Sequence, residues 1–427
     1  MQIHTVQKND TLWKLSQSYG VPLEHLFVAN GLTSQSVLVI GQAIIIPTEP
    51  EPTTHKVLVG ESLWKISQRY GVTIQELAAA NGIRNPALIY PGQLLKIPAP
   101  AKPVIEVNAY VERMGQTGAT LTANVGDYLT YLSPFSYRIL ANGSLIPLDD
   151  EAVIAAAYEK RAVPMMVITN FEGDNFSPEI AHAVVADAAI QNQVIANIVA
   201  VMRQKRYLAL NVDLEYVPPA DRELFNVFLQ RLVDTLHPYG YLVSSALAPK
   251  LSATQDGALY EAHDYEAHGR ILDFVILMTY EWGWAGGPPR AVAPLNEVVK
   301  VLNYALTVIP SNKIIMGIPL YGYDWTLPYI TGGRWAPSVS SHAAVERAAK
   351  YGGVIQYDEP SQAPNFHYFD EQGKEHVVWF EDARSIQAKL DVVKSLKLRG
   401  VSYWVLGVAF PQNWFVLGEN FTIKKLI

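Results

Sequence analysis

The chain has 427 residues and a weakly acidic balance, with 33 Lys and Arg against 40 Asp and Glu and a net charge of −7. This balance argues against nucleic acid as the main partner, because duplex binding needs a basic surface. The chain contains no cysteine, which excludes disulfides, thiolate metal sites and cysteine nucleophiles. Its length favours two or three domains, or one large domain with appendages.

The N-terminal residues, MQIHTVQ, lack a basic stretch followed by an apolar one, so we expect no ordinary secretory signal. No run of about 18 or more apolar residues occurs, and we therefore expect no membrane-spanning helix. Both observations predict a chain that is made in the cytosol.

An internal repeat follows, in which residues 4–47 and 55–98 align without a gap. Each copy predicts a strand, two helices and a closing strand. We expect Gly20 and Gly71 to end the first helices as left-handed caps, and Thr73 with Glu76 to open the last helix as a capping box. The matching segments are Leu12-Trp13-Lys14 with Leu63-Trp64-Lys65, Tyr19-Gly20-Val21 with Tyr70-Gly71-Val72, and Ala29-Asn30-Gly31 with Ala80-Asn81-Gly82.

Both copies resemble the LysM domain, which predicts LysM domains at 1–48 and 53–98. The resemblance implies binding of N-acetylglucosamine glycans such as peptidoglycan or chitin. The alternative is a generic small α/β repeat used for folding or dimerisation. Proline-rich segments at 49–52 and 98–103 predict short, semi-rigid, extended spacers. By position, the candidate sugar contacts are Asp10, Thr11, Asn30, Glu61, Ser62 and Asn81.

From residue 104 to 427, apolar strand-like runs alternate with helical stretches, which predicts an α/β fold, a (β/α)8 barrel. We expect residues about 324–382 to form a small α+β insertion after the seventh strand. The candidate strands are 105–111, 131–139, 165–170, 208–215, 242–248, 274–280, 314–320 and 400–406. The candidate helices are 149–157, 178–204, 219–237, 294–308 and 383–396.

Reactive residues of such barrels lie where the strands end, and the fourth strand ends with Asn211, Asp213 and Glu215. Their spacing of two predicts that all three side chains face the barrel interior. Two acids packed closely push their pKa values apart, so that one ionises while the other keeps the proton a general acid needs. The alternative is a buried network of salt bridges or hydrogen bonds.

The fourth strand resembles the Asp-x-x-Asp-x-Asp-x-Glu signature of glycoside hydrolase family 18, and the resemblance spans residues 105–420. Glu215 matches the proton donor and Asp213 the inner aspartate. Leu208 and Asn211 depart from the signature, and we expect Asn211 to remain a hydrogen-bonding partner for Asp213. This departure puts the pH dependence in doubt more than the activity. Further matches are residues 278–281, residues 317–322 and Trp404.

The resemblance implies substrate-assisted hydrolysis without metal or cofactor. Glu215 would protonate the glycosidic oxygen, and the 2-acetamido oxygen of the substrate would attack the anomeric carbon. Asp213 would orient the acetamide N–H, and Tyr280 would hydrogen-bond the attacking oxygen. Trp404 would stack beneath the sugar ring. The candidate substrate-binding residues are Asn211, Trp404, Glu281, Tyr137, Tyr323 and Asp324.

This mechanism requires an N-acetyl group, so a muramic lactam cannot occupy the reacting position. Together with the two LysM copies, the barrel resembles the bacterial spore cortex-lytic N-acetylglucosaminidases that act in germination. The resemblance implies synthesis in the mother cell, a place at the boundary of spore coat and cortex, and peptidoglycan and spore coat proteins as partners. The alternatives are a chitinase, or an inactive glycan-binding or coat protein.

One further pattern, His263 with His268, has a spacing of five rather than the four that places two ligands on one helix face. We therefore expect a surface helix there and not a metal site.

Overall fold

The computed structural model describes residues 1–48, 53–173 and 175–427. The predicted spacer at 49–52 lies outside the described residues. The second spacer, 98–103, has no regular secondary structure and leads directly into the first strand of the barrel. Within the described residues, no single helix is long and apolar enough to cross a membrane.

Two small modules open the chain, and each has the predicted strand–helix–helix–strand order. Gly20 and Gly71 end their first helices at φ of 64° and 66°, and the capping box of Thr73 and Glu76 is present, so these predictions are confirmed. Module 1 comprises β1 (Gln2–Thr5), α1 (Leu12–Tyr19), α2 (Leu23–Asn30) and β2 (Ala43–Ile46). Module 2 comprises β3 (Thr54–Lys56), α3 (Leu63–Tyr70), α4 (Ile74–Ala80) and β4 (Leu94–Lys96).

Eight parallel strands then close into a barrel, which confirms the predicted fold. Their almost continuous burial fits strands covered on both faces, and the pairing of the third strand with the fourth completes the ring. The strands are β5 (Val104–Val111), β6 (Tyr131–Pro134), β8 (Val163–Thr169), β11 (Ala209–Asp213), β12 (Leu242–Leu247), β13 (Phe274–Leu277), β14 (Ile314–Pro319) and β20 (Gly400–Leu406). Shorter strands beside them are β7 (Tyr137–Arg138), β9 (Phe171–Glu172), β10 (Asn175–Phe176) and β21 (Thr422–Ile423).

Helices surround the barrel, and two predicted elements are divided. The helix predicted at 178–204 is two helices bent by 95° at Asp187, whose carboxylate accepts hydrogen bonds from the next helix's first N–H groups. The strand predicted at 131–139 breaks between β6 and β7. The helices are α5 (Gly115–Val125), α6 (Glu151–Glu159), α7 (Pro178–Ala186), α8 (Ala188–Lys205), α9 (Arg222–Leu236), α10 (Tyr265–Ile271), α11 (Leu295–Val308), α13 (Ala383–Leu396) and α14 (Pro411–Asn420).

The insertion follows β14 and forms a five-stranded antiparallel sheet with one helix packed on it. Its sheet begins at Tyr321, three residues before the predicted start. The strands are β15 (Tyr321–Thr326), β16 (Ser338–Ser340), β17 (Gln356–Asp358), β18 (Ala363–Phe369) and β19 (Glu375–Trp379), and the helix is α12 (Ser341–Tyr351).

Module 1 docks on both the insertion and the barrel helices. The Ile355 N–H donates to Ile40 O at 2.9 Å, and Arg384 donates to Gly41 O at 3.1 Å. Gln412 of α14 donates to Asn30 and to Ala43 O, both at 2.8 Å. These contacts join module 1 to the catalytic part of the chain.

Module 2 behaves differently. Across the described ranges, its hydrogen bonds stay within residues 53–98, and its apolar core is a separate cluster. Gly82 and Gly92 match Gly31 and Gly41 of module 1. A Cβ on either would meet nothing within 4 Å, whereas a Cβ on Gly41 would lie 1.8 Å from Ile355 O. The two copies therefore share a fold but differ in attachment.

Candidate active site

A cavity of 590 Å³ opens where the barrel strands end. It is the position at which (β/α)8 barrels carry their reactive groups. Its walls come from seven of the eight barrel strands or from the loops that follow them. The lining residues are Tyr110, Glu112, Phe135, Ser136, Arg138, Leu148, Phe171, Phe176, Asp213, Glu215, Ala246, Met278, Tyr280, Glu281 and Trp404.

Two carboxyl groups lie in this cavity. Asp213 is the last residue of β11 and is 5% exposed, and Glu215 lies two residues beyond the strand. Burial raises the pKa of Asp213 from 3.8 to about 7. Burial, and then the charge of Asp213, raise the pKa of Glu215 well above 4.5. Glu215 therefore holds its proton near neutral pH, the state required of a general acid.

One carboxyl oxygen of Asp213, Oδ1, is buried and has no hydrogen-bond partner among residues 1–48, 53–173 and 175–427. A buried acceptor without a donor is costly in a folded protein. Because Asp213 lines the cavity, a substrate N–H is a donor that can satisfy it.

Asn211 does not partner Asp213 as expected. Its side chain is fully buried, accepts from the Tyr110 hydroxyl at 2.9 Å and donates to the Ser244 hydroxyl at 3.0 Å. Both bonds run across the barrel interior beneath the cavity. Asn211 therefore supports the cavity floor through Tyr110 and does not line the cavity.

Asn170, which the sequence analysis missed, holds the backbone of Glu215. Its side chain accepts from Glu215 N–H at 3.0 Å and donates to Glu215 O at 2.8 Å and to Ser177 O at 2.9 Å. The next residue, Tyr216, has a φ of 54°, a strained value for a residue with a side chain. Asn170 thus fixes the acid immediately before a strained turn. Its position directly after the third barrel strand, where reactive groups of such barrels lie, is the one sequence signal that could have identified it.

His268 lies in α10 and His263 two residues before that helix, and both are in the core, so the expectation that they lie at the surface is wrong. They are 1% and 0% exposed, and burial lowers their pKa values to about 4 and about 3. His263 Nδ1 accepts from the Ala248 N–H at 2.9 Å, so its Nε2 carries the hydrogen and donates to Leu214 O at 3.0 Å. The neutral ring therefore holds the backbone of Leu214, the residue before Glu215, by a hydrogen bond. The described residues contain no group of three or more metal-ligating side chains.

Aromatic rings line the other side of the cavity. Trp404 lies edge-on to Phe135 and Tyr110, with ring centroids 4.7 Å and 5.3 Å apart. Burial raises the pKa of Tyr280 well above 10, so its hydroxyl keeps its proton and can donate. Gly317 makes room for this ring, because a Cβ there would approach Tyr280 to 2.8 Å.

Glu281 links the cavity to the insertion. Its carboxylate accepts from the hydroxyls of Tyr321 and, at 3.0 Å, Tyr323. Burial raises its pKa despite these two bonds. Tyr323 thus reaches the candidate site through Glu281 and does not line the cavity directly.

Tyr137 and Asp324, two predicted cleft residues, lie elsewhere. Tyr137 is 1% exposed and donates a hydrogen bond to the buried Asp150. The strand break before β7 gives its side chain a direction different from the one predicted. Asp324 is 3% exposed inside the insertion, where Arg347, Tyr368 and His376 surround it. Neither contacts the cavity.

The predicted LysM contacts divide into two kinds. Asp10 and Thr11 line a groove of 420 Å³ in module 1, together with the exposed Trp13 and with Val37. Asp10 also accepts from the Gln7 N–H, and Thr11 caps α1.

The other predicted contacts have bonds within their own modules. Glu61 accepts from the Leu58 N–H, and Ser62 caps α3. Asn30 and Asn81 clasp helix and closing strand, with Asn81 bonded to Leu77 O and to the N–H and O of Lys96. Each asparagine therefore stabilises the fold of its own module.

The chain matches family models in three places. Residues 143–408 match "Glycosyl hydrolases family 18", and residues 4–47 and 55–98 each match "LysM domain". These matches identify the modules as LysM domains and the barrel as a glycosidase domain. Both kinds of domain indicate a chain that binds peptidoglycan or other N-acetylglucosamine polymers.

Similar proteins extend over the whole chain. The "Cortical fragment-lytic enzyme" of Bacillus subtilis (strain 168) is 43% identical over 100% of this chain and 99% of the relative. The crystal structure of the Bacillus cereus spore cortex-lytic enzyme SleL is 42% identical, with a TM-score of 0.86 and 99% of each chain covered. A chitinase from Chromobacterium violaceum ATCC 12472 is 27% identical, with a TM-score of 0.68 over 74% of this chain and 98% of its own. The chain therefore belongs to the glycosyl hydrolases of family 18 and carries two LysM domains.

Proposed function

We propose that this chain is a spore cortex hydrolase that acts in germination as a retaining N-acetylglucosaminidase. The observation that carries the proposal is the pair in the cavity: Asp213 offers a buried, unpartnered oxygen among the described residues, and Glu215 has a raised pKa. A substrate acetamide supplies the missing N–H donor, and the protonated acid supplies the proton for the leaving group.

The reaction follows from these positions. Glu215 gives its proton to the glycosidic oxygen as the bond from that oxygen to the anomeric carbon breaks. The acetamido oxygen of the same sugar attacks the anomeric carbon from the opposite face and forms an oxazolinium ion. Asp213 accepts the acetamide N–H and balances the positive charge, while Tyr280 donates to the attacking oxygen. Glu215 then takes a proton from water, which opens the ring with net retention of configuration.

Two observations support the cortex as substrate. Several relatives that match the full length of the chain have names that specify cortical fragments or the spore cortex. The mechanism requires an N-acetyl group on the reacting sugar, so cortex chains that contain muramic lactam would be cut on the reducing side of N-acetylglucosamine.

The location and further partners belong to the same proposal. We place the protein at the boundary of coat and cortex, with synthesis in the mother cell and contacts to spore coat proteins. Fluorescent fusions made under a mother-cell promoter test this. A signal confined to the forespore interior would refute the proposed location.

The activity is tested by mass spectrometry of products from lactam-containing muropeptides. We expect fragments that end in reducing N-acetylglucosamine, released first as the β-anomer by NMR. The variant Glu215→Gln should lose hydrolysis while its binding to peptidoglycan is retained. Cleavage of chitin oligomers alone, or full activity of the variant, would contradict the proposal.

A further inference from the structure

A crevice of 620 Å³ separates module 1 from the insertion and is at least as large as the barrel cavity. One wall is formed by residues 30–37 of module 1 and the other by α12. Residues 409–412, which lead into α14, close one side. The proposed reaction does not use this space.

The crevice continues the module 1 groove. Ser36 and Val37 line both spaces, and Val37 is 69% exposed. The groove and the crevice therefore adjoin at these two residues. A ligand that is a polymer can occupy both.

The chemistry of the crevice favours a neutral ligand, because each charged group in its walls already has a protein partner. Uncharged polar groups and apolar side chains both line the walls, as they do in sites that bind uncharged polar molecules. The paired groups are His342 with Glu346, Lys350 with Glu371, Glu381 with Lys389, and Asp382 with Arg384.

One polar group in the crevice lacks a partner. Ser341, the first residue of α12, is 6% exposed, and its hydroxyl makes no hydrogen bond within the described part of the chain. Thr33, Gln35 and Gln412 add further polar side chains to the walls. An acetamido sugar suits this lining, because it has hydroxyl and amide groups as well as an apolar ring face.

The walls are held at a fixed spacing. Ile355, which lies between α12 and β17, donates to Ile40 O, and Gly41 packs directly against Ile355 O. The same insertion carries Tyr321 and Tyr323, which bind Glu281 of the barrel cavity. The crevice and the catalytic cavity therefore border one subdomain.

We propose that this crevice is a second sugar-binding site, which takes the continuation of the N-acetylglucosamine chain held in the module 1 groove. The inference rests on the proposed function for its choice of ligand. Because module 1 is docked, the bound chain is held in a fixed position relative to the barrel. In module 2, the positions that match Gly31 and Gly41 face no neighbouring segment, so its described residues have no second wall.

The absence of cysteine from the sequence makes a direct test simple. In full-length protein carrying Glu215→Gln, the substitution Glu346→Cys accepts an environment-sensitive fluorophore in the crevice. A matched label at Gln372→Cys reports from an exposed turn of the same insertion. The probes are the hexamer and the trimer of N-acetylglucosamine. We expect saturable emission change at 346 with the hexamer, at about tenfold lower concentration than with the trimer, and no change at 372.

Added substitutions locate the site. Ala349→Trp fills the crevice and should abolish the change at 346. Val37→Asp should abolish it as well, whereas Leu88→Asp, at the matching position of module 2, should leave it unchanged. No response to saturating hexamer, a response only to peptide-bearing muropeptides, or a response that survives Val37→Asp would overturn the inference. Hydrolysis by the unlabelled wild-type chain is measured separately, so failure of the proposed activity remains distinguishable.

Discussion

The docking of module 1 can be tested by a substitution for which the matching position in module 2 serves as the control. Gly41 and Gly92 occupy matching positions, with φ of 84° and 87°. Replacing either by Ala forces a left-handed conformation on a residue with a side chain, at a cost of about 1–2 kcal/mol. This cost is shared by Gly41→Ala and Gly92→Ala, so the difference between the variants measures the docking alone.

The difference follows from the contact at Gly41. A Cβ would lie 1.8 Å from Ile355 O, and an ordinary contact needs at least 3.4 Å, so the two segments must separate by about 1.6 Å. That movement breaks the bonds from Ile355 N–H to Ile40 O and from Arg384 to Gly41 O. At about 1 kcal/mol each, these losses make Gly41→Ala roughly 2 kcal/mol more destabilising than Gly92→Ala.

Two measurements check this result. Urea unfolding compares the free energies of unfolding of the two variants. Hydrogen exchange follows the Ile355 amide, which should lose protection in Gly41→Ala and keep it in Gly92→Ala. Equal free energies together with full protection of Ile355 in both variants would refute the docked arrangement.

Three further changes test the site and the modules. Asp213→Asn removes a carboxyl whose pKa in the folded protein, about 7, exceeds the ordinary 3.8, and such a group makes the wild type lose stability as pH rises from about 4 to 7. The melting temperature of the variant should therefore fall less over this pH range than that of the wild type, and an equal fall in both would contradict this. Asn170→Ala leaves the backbone groups of Glu215 without partners, and we expect kcat to fall about 10²-fold with a smaller change in KM, whereas a change in KM alone would oppose a positioning role. Asn81→Ala removes three hydrogen bonds that join α4 to β4 in module 2. The fraction of protein that sediments with peptidoglycan should fall while cleavage of small muropeptides persists, and loss of both would contradict independent folding of module 2 and the barrel.

The sequence allowed prediction of features whose signals are local. Gly20 and Gly71 lie where a left-handed cap is needed, and the pair Thr73 and Glu76 has the spacing of a capping box, so helix ends followed from neighbouring residues. The barrel was predictable because apolar strands recur at regular intervals. The candidate acid, Glu215, followed from a motif at the end of one strand.

Features that depend on contacts between distant segments were not predictable. Asn170 acts on a backbone segment 45 residues later in the chain, and no local pattern marks that bond. The strand break before Tyr137 reversed the expected direction of its side chain. Asn211 has the spacing of an inward-facing residue, but its partners, Tyr110 and Ser244, come from other strands of the barrel.

The different attachment of the two modules has a consequence for how long the enzyme stays on its polymer. Among the described residues, module 2 makes no hydrogen bond outside 53–98, and it is covalently linked to the remaining sites. When it holds a glycan, those sites therefore meet that glycan at an effective concentration on the order of millimolar. Weak individual sites then suffice for long residence. The barrel can release one product and engage the next stretch of polymer without the molecule diffusing away.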